Sequence, residues 1–303
     1  MWRENLQASG FYGGIGMEIF HISDINDLPK LDPSSCVIGN FDGLHLGHQM
    51  LIKDGKRDNL KLTIITFEGL NKKDGYLTNT EQRIKLIESL GVDYLIVLYY
   101  PRIRLVFFHE FIKMMKKLKI KEVTCGKDFR FGYKAEGDSF DLQKHFKLKL
   151  VEFYEYNRLK VSTSVIKEML LDGNLAEANT LLSYPYTIIG KVFSGNKIGR
   201  TLGYPTANIY YDNYLLPKNG VYVVNVIVRG IEYRAMANIG YNPTLNLQEK
   251  RRLEVHIIDF NDDIYDEEIS VSFLKYLRGE TKYSSKQDLI NSLKETVEIC
   301  RNF

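Results

Sequence analysis

Two histidines lie three residues apart, His45 and His48, in the stretch CVIGNFDGLHLGHQML, directly after a short apolar run. Gly39, Gly43 and Gly47 surround them, and glycines allow close backbone approach and unusual φ angles. A helix that begins here offers free N–H groups and a positive dipole end to an anion. The imidazoles would then donate to phosphate oxygens and stabilise charge on an α-phosphate and a pyrophosphate leaving group. The alternative is a polar turn with a buried imidazole.

The stretch GKDFRFGYKAEGD (126–138) brings aromatic and charged side chains together. Phe129 and Phe131 would flank a flat ring, while Asp128 and Arg130 would orient polar groups near it. The alternative is a strand end followed by a glycine turn, with both aromatics in the core.

Hydroxyl side chains open a further segment, VSTSVIKEML (161–170). Ser162, Thr163 and Ser164 can cap a helix and present hydroxyls to a phosphate. An ordinary helix cap would explain these residues equally well.

The stretch GKVFSGNKIGRTLGYPTANI (190–209) is rich in glycine, and its backbone can wrap a phosphate. A glycine-rich turn explains SGNKIG but not P-T-A-N. Further on, RLEVHIIDF (252–260) predicts a strand in which Glu254 stands among alternating apolar residues. On the pattern alone, that carboxylate would be exposed at a sheet edge.

Strands and helices alternate through the first half, which predicts a doubly wound parallel sheet with helices on both faces. Ligands bind such sheets beyond the carboxyl ends of the strands, where His45 and His48 lie. In this half the pattern predicts a helix over TNTEQRIKLIESLG, capped by Thr78 or Thr80 and ended by Gly91.

Residues 162–182 predict two short helices broken at Asp172 and Gly173. From YTIIGKVF onward, short β-rich runs separated by turns predict a small antiparallel barrel or sandwich. A final helix follows, capped by Ser284 or Ser285. We therefore expect a leader or tag over 1–16, an α/β domain over 17–183 and a β domain over 184–303. The alternative for residues 1–16 is a native N-terminal arm.

The composition is that of an ordinary globular protein: 303 residues, 44 % apolar, 26 % charged and a net charge of +3. That charge is too small to argue for nucleic acid, and no apolar run approaches the ~20 residues of a membrane span. Three widely spaced cysteines, Cys36, Cys125 and Cys300, favour a reducing cytoplasm over a disulfide framework or a zinc site. The lysines of KMMKKLKIK (113–121) fit the solvated face of a helix whose Met114, Met115 and Leu118 point inward.

GNFDGLHLGH resembles the signature of the nucleotidyltransferase superfamily. With the other motifs it makes the chain, from about residue 17 to the end, similar to the prokaryotic bifunctional riboflavin kinase/FAD synthetases. The resemblance implies an N-terminal parallel-sheet nucleotidyltransferase domain that transfers AMP from ATP to FMN. It also implies a C-terminal β-barrel riboflavin kinase domain with a terminal helix. The expected ligands are riboflavin, FMN, FAD, ATP, ADP and Mg²⁺, with no nucleic-acid or membrane partner.

In the first domain the resemblance assigns adenylyl transfer to His45 and His48. It implies an ATP- and phosphate-binding set of Gly39, Phe41, Asp42, Gly43, Gly47, Ser162, Ser164 and Lys167. It implies flavin contacts from Asp128, Phe129 and Arg130.

In the second domain the resemblance makes Glu254 the general base for the riboflavin 5′-hydroxyl, and it makes Thr206 and Asn208 the Mg²⁺ ligands. It implies an ATP- and phosphate-binding set of Gly195, Lys197, Gly199, Arg200, Gly203, Thr206 and Asn208. It implies flavin contacts from Asn238, Gly240, Thr244, Arg278 and Glu280.

The chain departs from the family pattern at three places. Lys167 replaces an arginine, which keeps the charge but loses the bidentate fork. ITFEGLNKKDG (65–75) has no proline where the family usually shows F-x-P-x-P, and Asn242 replaces an arginine. The alternatives are thus a riboflavin kinase with weak or lost FAD synthesis, or a non-catalytic flavin-binding regulator. Glu254, Thr206 and Asn208 favour catalysis, because binding alone does not need a base.

Overall fold

The computed structural model describes residues 16–194, 202–241 and 251–303, so nearly all of the expected leader lies outside it. The described residues form two compact units. The sheet unit contains the described residues up to Lys73 and then Asn79–Thr163; the barrel unit contains Asp74–Thr78 and Ser164–Phe303. The two short helices before residue 184 therefore group with the barrel. A domain boundary at residue 184 stays a prediction.

Six parallel strands build the sheet unit: β1 (Glu18–Ile22), β2 (Ser34–Ile38), β3 (Lys61–Glu68), β4 (Tyr94–Tyr99), β5 (Ile120–Gly126) and β6 (Lys147–Val151). Its helices are α1 (Leu46–Gly55), α2 (Thr80–Glu88), α3 (Tyr100–Ile103), α4 (Phe108–Lys117) and α5 (Ser139–Gln143). A two-stranded hairpin that the sequence did not predict, β7 (Glu155–Tyr156) with β8 (Leu159–Lys160), follows the sheet.

The strand order β1-β4-β3-β2-β5-β6 confirms the doubly wound parallel sheet. From β2 the chain builds outward through β3 and β4 on one side, and through β5 and β6 on the other. The order reverses between β2 and β5, and this is where a crevice opens beyond the carboxyl ends of the strands. The loops after β2 and after β5 both leave the sheet at this crevice.

Helix α4 has the inward and outward faces that its sequence predicted. Met114 and Met115 are buried in the apolar core with Leu118, while Lys113 and Lys116 are exposed. The predicted cap of α2 was wrong. Asn79 is the N-cap, and its side chain accepts from the backbone N–H of Gln82, in place of Thr78 or Thr80. An asparagine oxygen reaches this donor as well as a threonine hydroxyl does.

The barrel unit has six antiparallel strands: β9 (Thr187–Phe193), β10 (Ala207–Tyr210), β11 (Gly220–Val228), β12 (Ile231–Tyr241), β13 (Arg251–Ile257) and β14 (Glu268–Arg278). They close in the order β10-β13-β12-β11-β14-β9, so this unit is a barrel and not a sandwich. The helices are α6 (Thr163–Asp172), α7 (Leu175–Leu182) and α8 (Lys286–Asn302). Gly173 breaks α6 from α7 at φ +86°, and Ser285 caps α8 as predicted.

A short segment from the first half of the chain completes the barrel unit. Tyr76 donates its N–H to the carbonyl of Asn213 and accepts from the N–H of Leu215, both at 2.8 Å. The Tyr186 hydroxyl donates to the Leu215 carbonyl at 2.6 Å beside this pairing. Gly75 has φ +77°, and a Cβ on it would lie 2.7 Å from the Leu215 nitrogen. Only glycine fits there without displacing backbone.

Candidate active sites

The loop between β2 and α1 brings both predicted histidines to the N-terminus of α1. His45 is the N-cap, and its Nδ1 accepts from the backbone N–H of His48 at 3.3 Å. The two imidazoles stack with their centroids 3.6 Å apart and their planes 17° from parallel. Because Nδ1 of His45 is an acceptor, the proton of the neutral ring is on Nε2. That N–H can donate to a ligand.

Glycines make this loop compact. A Cβ on Gly39 would lie 2.9 Å from the ring of Phe41, which is fully buried. Gly43 has φ +79°, and Gly47 lies against the ring of His45. Phe41 itself has φ +53°, a strained value for a bulky residue. The chain holds this loop in one unusual conformation, as a preorganised anion site requires.

Both imidazoles are neutral at pH 7. Burial lowers the pKa of His45 to about 4, and the nearby Asp42 carboxylate opposes this effect only in part. Burial also holds the pKa of His48 well below its usual value, and the positive charges of Lys72 and Arg83 lower it further. The site is therefore cationic through its lysine and arginine, while its imidazoles act as neutral donors.

Two buried polar atoms at this site have no hydrogen-bond partner among the residues that the structure describes: Asn40 Oδ1 and His48 Nδ1. Buried polar atoms are nearly always paired in folded proteins. One of these atoms is in the loop and the other is in the first turn of α1, an arrangement that fits a ligand-binding site.

The predicted hydroxyl and lysine residues are divided between the units. Thr163 donates its Oγ1 hydrogen to the carbonyl of Asp42 at 3.2 Å, so it supports the histidine loop directly. Ser162 belongs to the same unit. Ser164 and Lys167 belong to the barrel unit, where the Lys167 ammonium donates to the carbonyl of Gly75.

In the segment after β5, the two predicted aromatic residues have different surroundings. Phe131 is core, 5 % exposed and in contact with Phe111, so it does not flank a ligand ring. Phe129 stacks on it at 5.7 Å and is only partly buried. Arg130 forms an ion pair with Asp138 at 3.2 Å. Asp128 lies beside Gly126 at the turn after β5.

In the barrel unit, four predicted residues lie in one row across the strands. Asn208 on β10 is opposite Glu254 on β13, and Glu254 is opposite Asn238 on β12. On β11, Val221 links Asn238 to Arg278 of β14. Side chains alternate along a strand, and the neighbours of Glu254 on β13 are buried apolar residues. The row therefore lies on the outer face of the barrel, the face that α8 packs against.

The Asn208–Glu254 pair is shielded from solvent. Burial raises the pKa of Glu254 above its usual value, although the positive charge of Arg252 opposes this. Asn208 is 5 % exposed, and its Oδ1 is buried with no hydrogen-bond partner within the described ranges. A desolvated carboxylate and an unpaired amide oxygen therefore lie on neighbouring strands.

A cleft in the barrel unit is lined partly by the P-T-A-N segment, although Asn208 and Glu254 are not among its lining residues. Its lining includes Thr206 and Ala207 together with Ile257, Phe260 and Asp262. His256 fixes the rim, because its Nδ1 lies 2.8 Å from the carbonyl of Pro205.

At the other end of the row, the Glu280 carboxylate lies against Gly240 of β12. A Cβ on Gly240 would lie 2.0 Å from Glu280 Oε1, so the absence of a side chain at residue 240 makes room for this carboxylate. Asn219 donates to Glu280 at 3.3 Å and accepts from Arg251 at 2.7 Å. Arg278 donates to Ser292 and Thr296 of α8, and so fastens the end of β14 to that helix.

Of the remaining predicted residues, Gly203 has φ +84° beside the P-T-A-N segment. Five lie outside the described residues: Gly195, Lys197, Gly199, Arg200 and Thr244.

Sequence reasoning missed Asn40, His256 and Lys72. Asn40 stands inside the GNFDG motif, and His256 follows Glu254 by two residues on the same strand face, so alternation could have found it. No sequence pattern distinguishes Lys72, since it is one of two adjacent lysines in a polar loop.

A doubly wound sheet with a glycine-histidine loop, followed by a barrel with a carboxylate–amide pair, is an arrangement suited to a two-part phosphate-transferring enzyme. Family comparison agrees. Residues 28–167 match the FAD synthetase family and residues 182–303 match the riboflavin kinase family. The chain belongs to the bifunctional riboflavin kinase/FMN adenylyltransferase family.

Several relatives named bifunctional riboflavin kinase/FMN adenylyltransferase support this membership. The protein of Buchnera aphidicola subsp. Schizaphis graminum is 36 % identical, over 93 % of this chain and 98 % of its own length. That of Listeria monocytogenes is 35 % identical over 88 % and 91 %, respectively. That of Escherichia coli K12 is 33 % identical over 88 % and 92 %.

A Streptococcus pneumoniae crystal structure, described as a macrolide-efflux protein, has a TM-score of 0.84 and 34 % identity. The match covers 94 % of this chain and 99 % of that one. Within the described ranges of the present chain, no helix has the length and apolar character needed to span a bilayer.

Proposed function

We propose that the barrel unit transfers the γ-phosphoryl group of ATP to the 5′-hydroxyl of riboflavin, giving FMN and ADP. The sheet unit then transfers AMP from a second ATP to FMN, giving FAD and pyrophosphate. Matches to both families favour this two-step enzyme over a kinase alone or a non-catalytic flavin-binding regulator.

The observation that carries the kinase step is the position of Asn208 directly opposite Glu254. The Glu254 carboxylate accepts the hydroxyl proton as the oxygen attacks phosphorus, and its raised pKa makes it a better base. Thr206 and Asn208 would hold Mg²⁺. The buried, unpartnered Oδ1 of Asn208 fits this assignment, since amide oxygens are suitable ligands for Mg²⁺. When bound, Mg²⁺ neutralises charge on the phosphates.

The cleft beside Thr206 is suited to the nucleotide. Ile257 and Phe260 offer apolar surface to a base, and Thr206, the residue before β10, lines the same cleft. The flavin would lie along the row at Asn238 and Gly240, bounded by Arg278 and Glu280.

For adenylyl transfer, the N-terminus of α1 and the neutral Nε2–H of His45 would bind the ATP phosphates. His48 stacks on His45, so its position is fixed before ATP arrives. The FMN phosphate then attacks the α-phosphate, and the donors stabilise charge on the departing pyrophosphate. The partly buried ring of Phe129 would lie against the flavin ring.

We also infer a cytoplasmic location, where ATP is available. Three buried cysteines, all of them free thiols, support a reducing compartment.

The test is incubation with riboflavin and Mg-ATP, with FMN and FAD separated by chromatography over time. Wild type should make FMN first and FAD later. Glu254→Gln should lower FMN formation by about 10²–10⁴-fold while FAD synthesis from added FMN continues. His48→Ala should lower FAD synthesis by about 10²-fold and leave FMN formation unchanged.

The matched control for the first substitution is Glu295→Gln, which makes the same charge change on an exposed face of α8. Normal FMN formation by Glu254→Gln would refute the base assignment. Loss of both activities in either variant would point to unfolding.

A further inference from the structure

We propose that Lys72 is a phosphate-binding residue of the sheet unit, supplying cationic charge beside His45 and His48 when ATP binds. The inference rests on the proposed adenylyl transfer and assigns to this site a residue from the loop that lacks the family's proline segment.

The first support is the position of Lys72. Its Nζ lies 2.8 Å from Oδ2 of Asp42, a carboxylate that is only 1 % exposed. Asp42 belongs to the loop that ends in the N-cap His45, so the ion pair places the ammonium at the N-terminus of α1. Helix amides, an imidazole N–H and an ammonium together form a strong site for a polyphosphate.

The second support is electrostatic. The positive charge of Lys72 lowers the pKa of His48, as expected for an ammonium close to that imidazole. His48 Nδ1 is also one of the buried atoms without a partner in the described part of the chain, which independently indicates a ligand here.

The third support is the chemistry of lysine. An ammonium has three donors, so it can keep its bond to Asp42 while donating to a phosphate oxygen. The other cation that lowers the pKa of His48 is Arg83, whose guanidinium donates to the carbonyl of Phe67 at 2.8 Å. Arg83 thus holds the end of β3, whereas Lys72 pairs with the histidine loop itself.

A purely structural role is the competing explanation, because a buried carboxylate is costly unless it is paired. Lys72 would then only neutralise Asp42. The experiment must separate phosphate binding from this neutralisation.

We would measure affinity for inorganic pyrophosphate by titration calorimetry, and the KM for ATP in FAD synthesis. Lys72→Met should weaken both by about tenfold or more, the scale of one charged hydrogen bond. Lys72→Arg should recover much of the loss. Lys73→Met is the matched control, since it removes the same charge from the exposed adjacent residue and should change both by less than about twofold.

A double-mutant cycle with Asp42→Asn distinguishes phosphate binding by Lys72 from neutralisation of Asp42. If Lys72 binds phosphate, adding Lys72→Met to Asp42→Asn weakens pyrophosphate binding about tenfold again. If Lys72 only neutralises Asp42, the added substitution changes nothing, and the proposal is overturned.

The pyrophosphate measurement does not require turnover. A wild type that makes no FAD would refute the proposed adenylyl transfer, yet its titration would still test Lys72. Equal pyrophosphate affinity in wild type and Lys72→Met, or no binding by wild type, would overturn the Lys72 proposal itself.

Discussion

His256 Nδ1 lies 2.8 Å from the carbonyl oxygen of Pro205, so the imidazole of one strand donates to the segment that carries Thr206. The ring also meets Tyr204 edge-on, with centroids 5.5 Å apart. Burial lowers the pKa of His256, which keeps the ring neutral. The Pro205 carbonyl can only accept, so the proton of the neutral ring is on Nδ1. His256 is therefore a positioning residue for the proposed Mg²⁺ and phosphate ligands.

We expect His256→Phe to raise the KM for Mg-ATP in the kinase reaction by about tenfold, because the Pro205 carbonyl loses its donor. The KM for riboflavin and FAD synthesis from FMN should change little. His256→Asn is the conservative variant, since its amide nitrogen can reach the same carbonyl, and it should restore most of the ATP affinity. Steady-state kinetics on both substrates would check this. A parallel rise in both KM values would indicate general damage to the barrel.

The buried histidines predict a pH-dependent stability. Unfolded histidine has a pKa near 6.5, but folded His45 titrates near 4, so the unfolded chain binds more protons between these values. Stability contributed by neutral His45 is thus lost as pH falls through about 6.5, by about 2 kcal/mol at pH 5.

His45→Asn keeps an N-cap acceptor and removes the titrating ring. The fall in Tm between pH 7 and pH 5, followed by circular dichroism, should be smaller in this variant than in wild type. His109→Gln, at an exposed residue of α4, serves as the control and should behave like wild type. An unchanged fall in His45→Asn would show that other groups cause the acid sensitivity.

We expect the burial of the Glu254 carboxylate to lower the stability of the folded protein. Because the pKa of folded Glu254 is raised, the folded chain holds its proton at higher pH than the unfolded chain does. Ionisation therefore disfavours folding as pH rises past the unfolded value. Glu254→Gln should raise Tm at pH 7.5, with the gain shrinking toward pH 4. Thermal scans across this range would decide, and a lower Tm at every pH would contradict the expectation.

Two glycines with similar φ angles allow a controlled test of the Asp74–Thr78 segment. Gly75→Ala places a Cβ 2.7 Å from the Leu215 nitrogen at φ +77°, whereas Gly230→Ala at φ +80° meets nothing within 4 Å. Both variants carry the same backbone strain, of order 1 kcal/mol. Gly75→Ala should lower the free energy of unfolding by about 1–3 kcal/mol more, because it also displaces the pairing of Tyr76. Equal losses would mean that this pairing contributes nothing.

Sequence patterns predicted the sheet, the barrel and most of the candidate site because each depends on local periodicity or on a short motif. Strand alternation placed Glu254 correctly within its strand, but its register with Asn208 depends on how β10 and β13 meet, which no local pattern encodes. Phe129 and Phe131 are equivalent in sequence, and only tertiary packing makes one core and leaves the other partly accessible. The positions of Lys72 and the Asp74–Thr78 segment depend on partners distant in the sequence, so no local motif could predict them.

The pairing of Tyr76 within the barrel unit also sets an order of events during synthesis. A chain leaves the ribosome N-terminus first, so Tyr76 emerges 110 residues before the Tyr186 hydroxyl that lies beside it. Throughout that interval the loop between β3 and α2 has no barrel to pair with, although the residues on both sides of the loop have already been synthesised. The sheet can therefore be assembled while one of its own loops waits for a later part of the chain. A nascent protein stalled before the barrel would carry this loop unpaired and open to proteases.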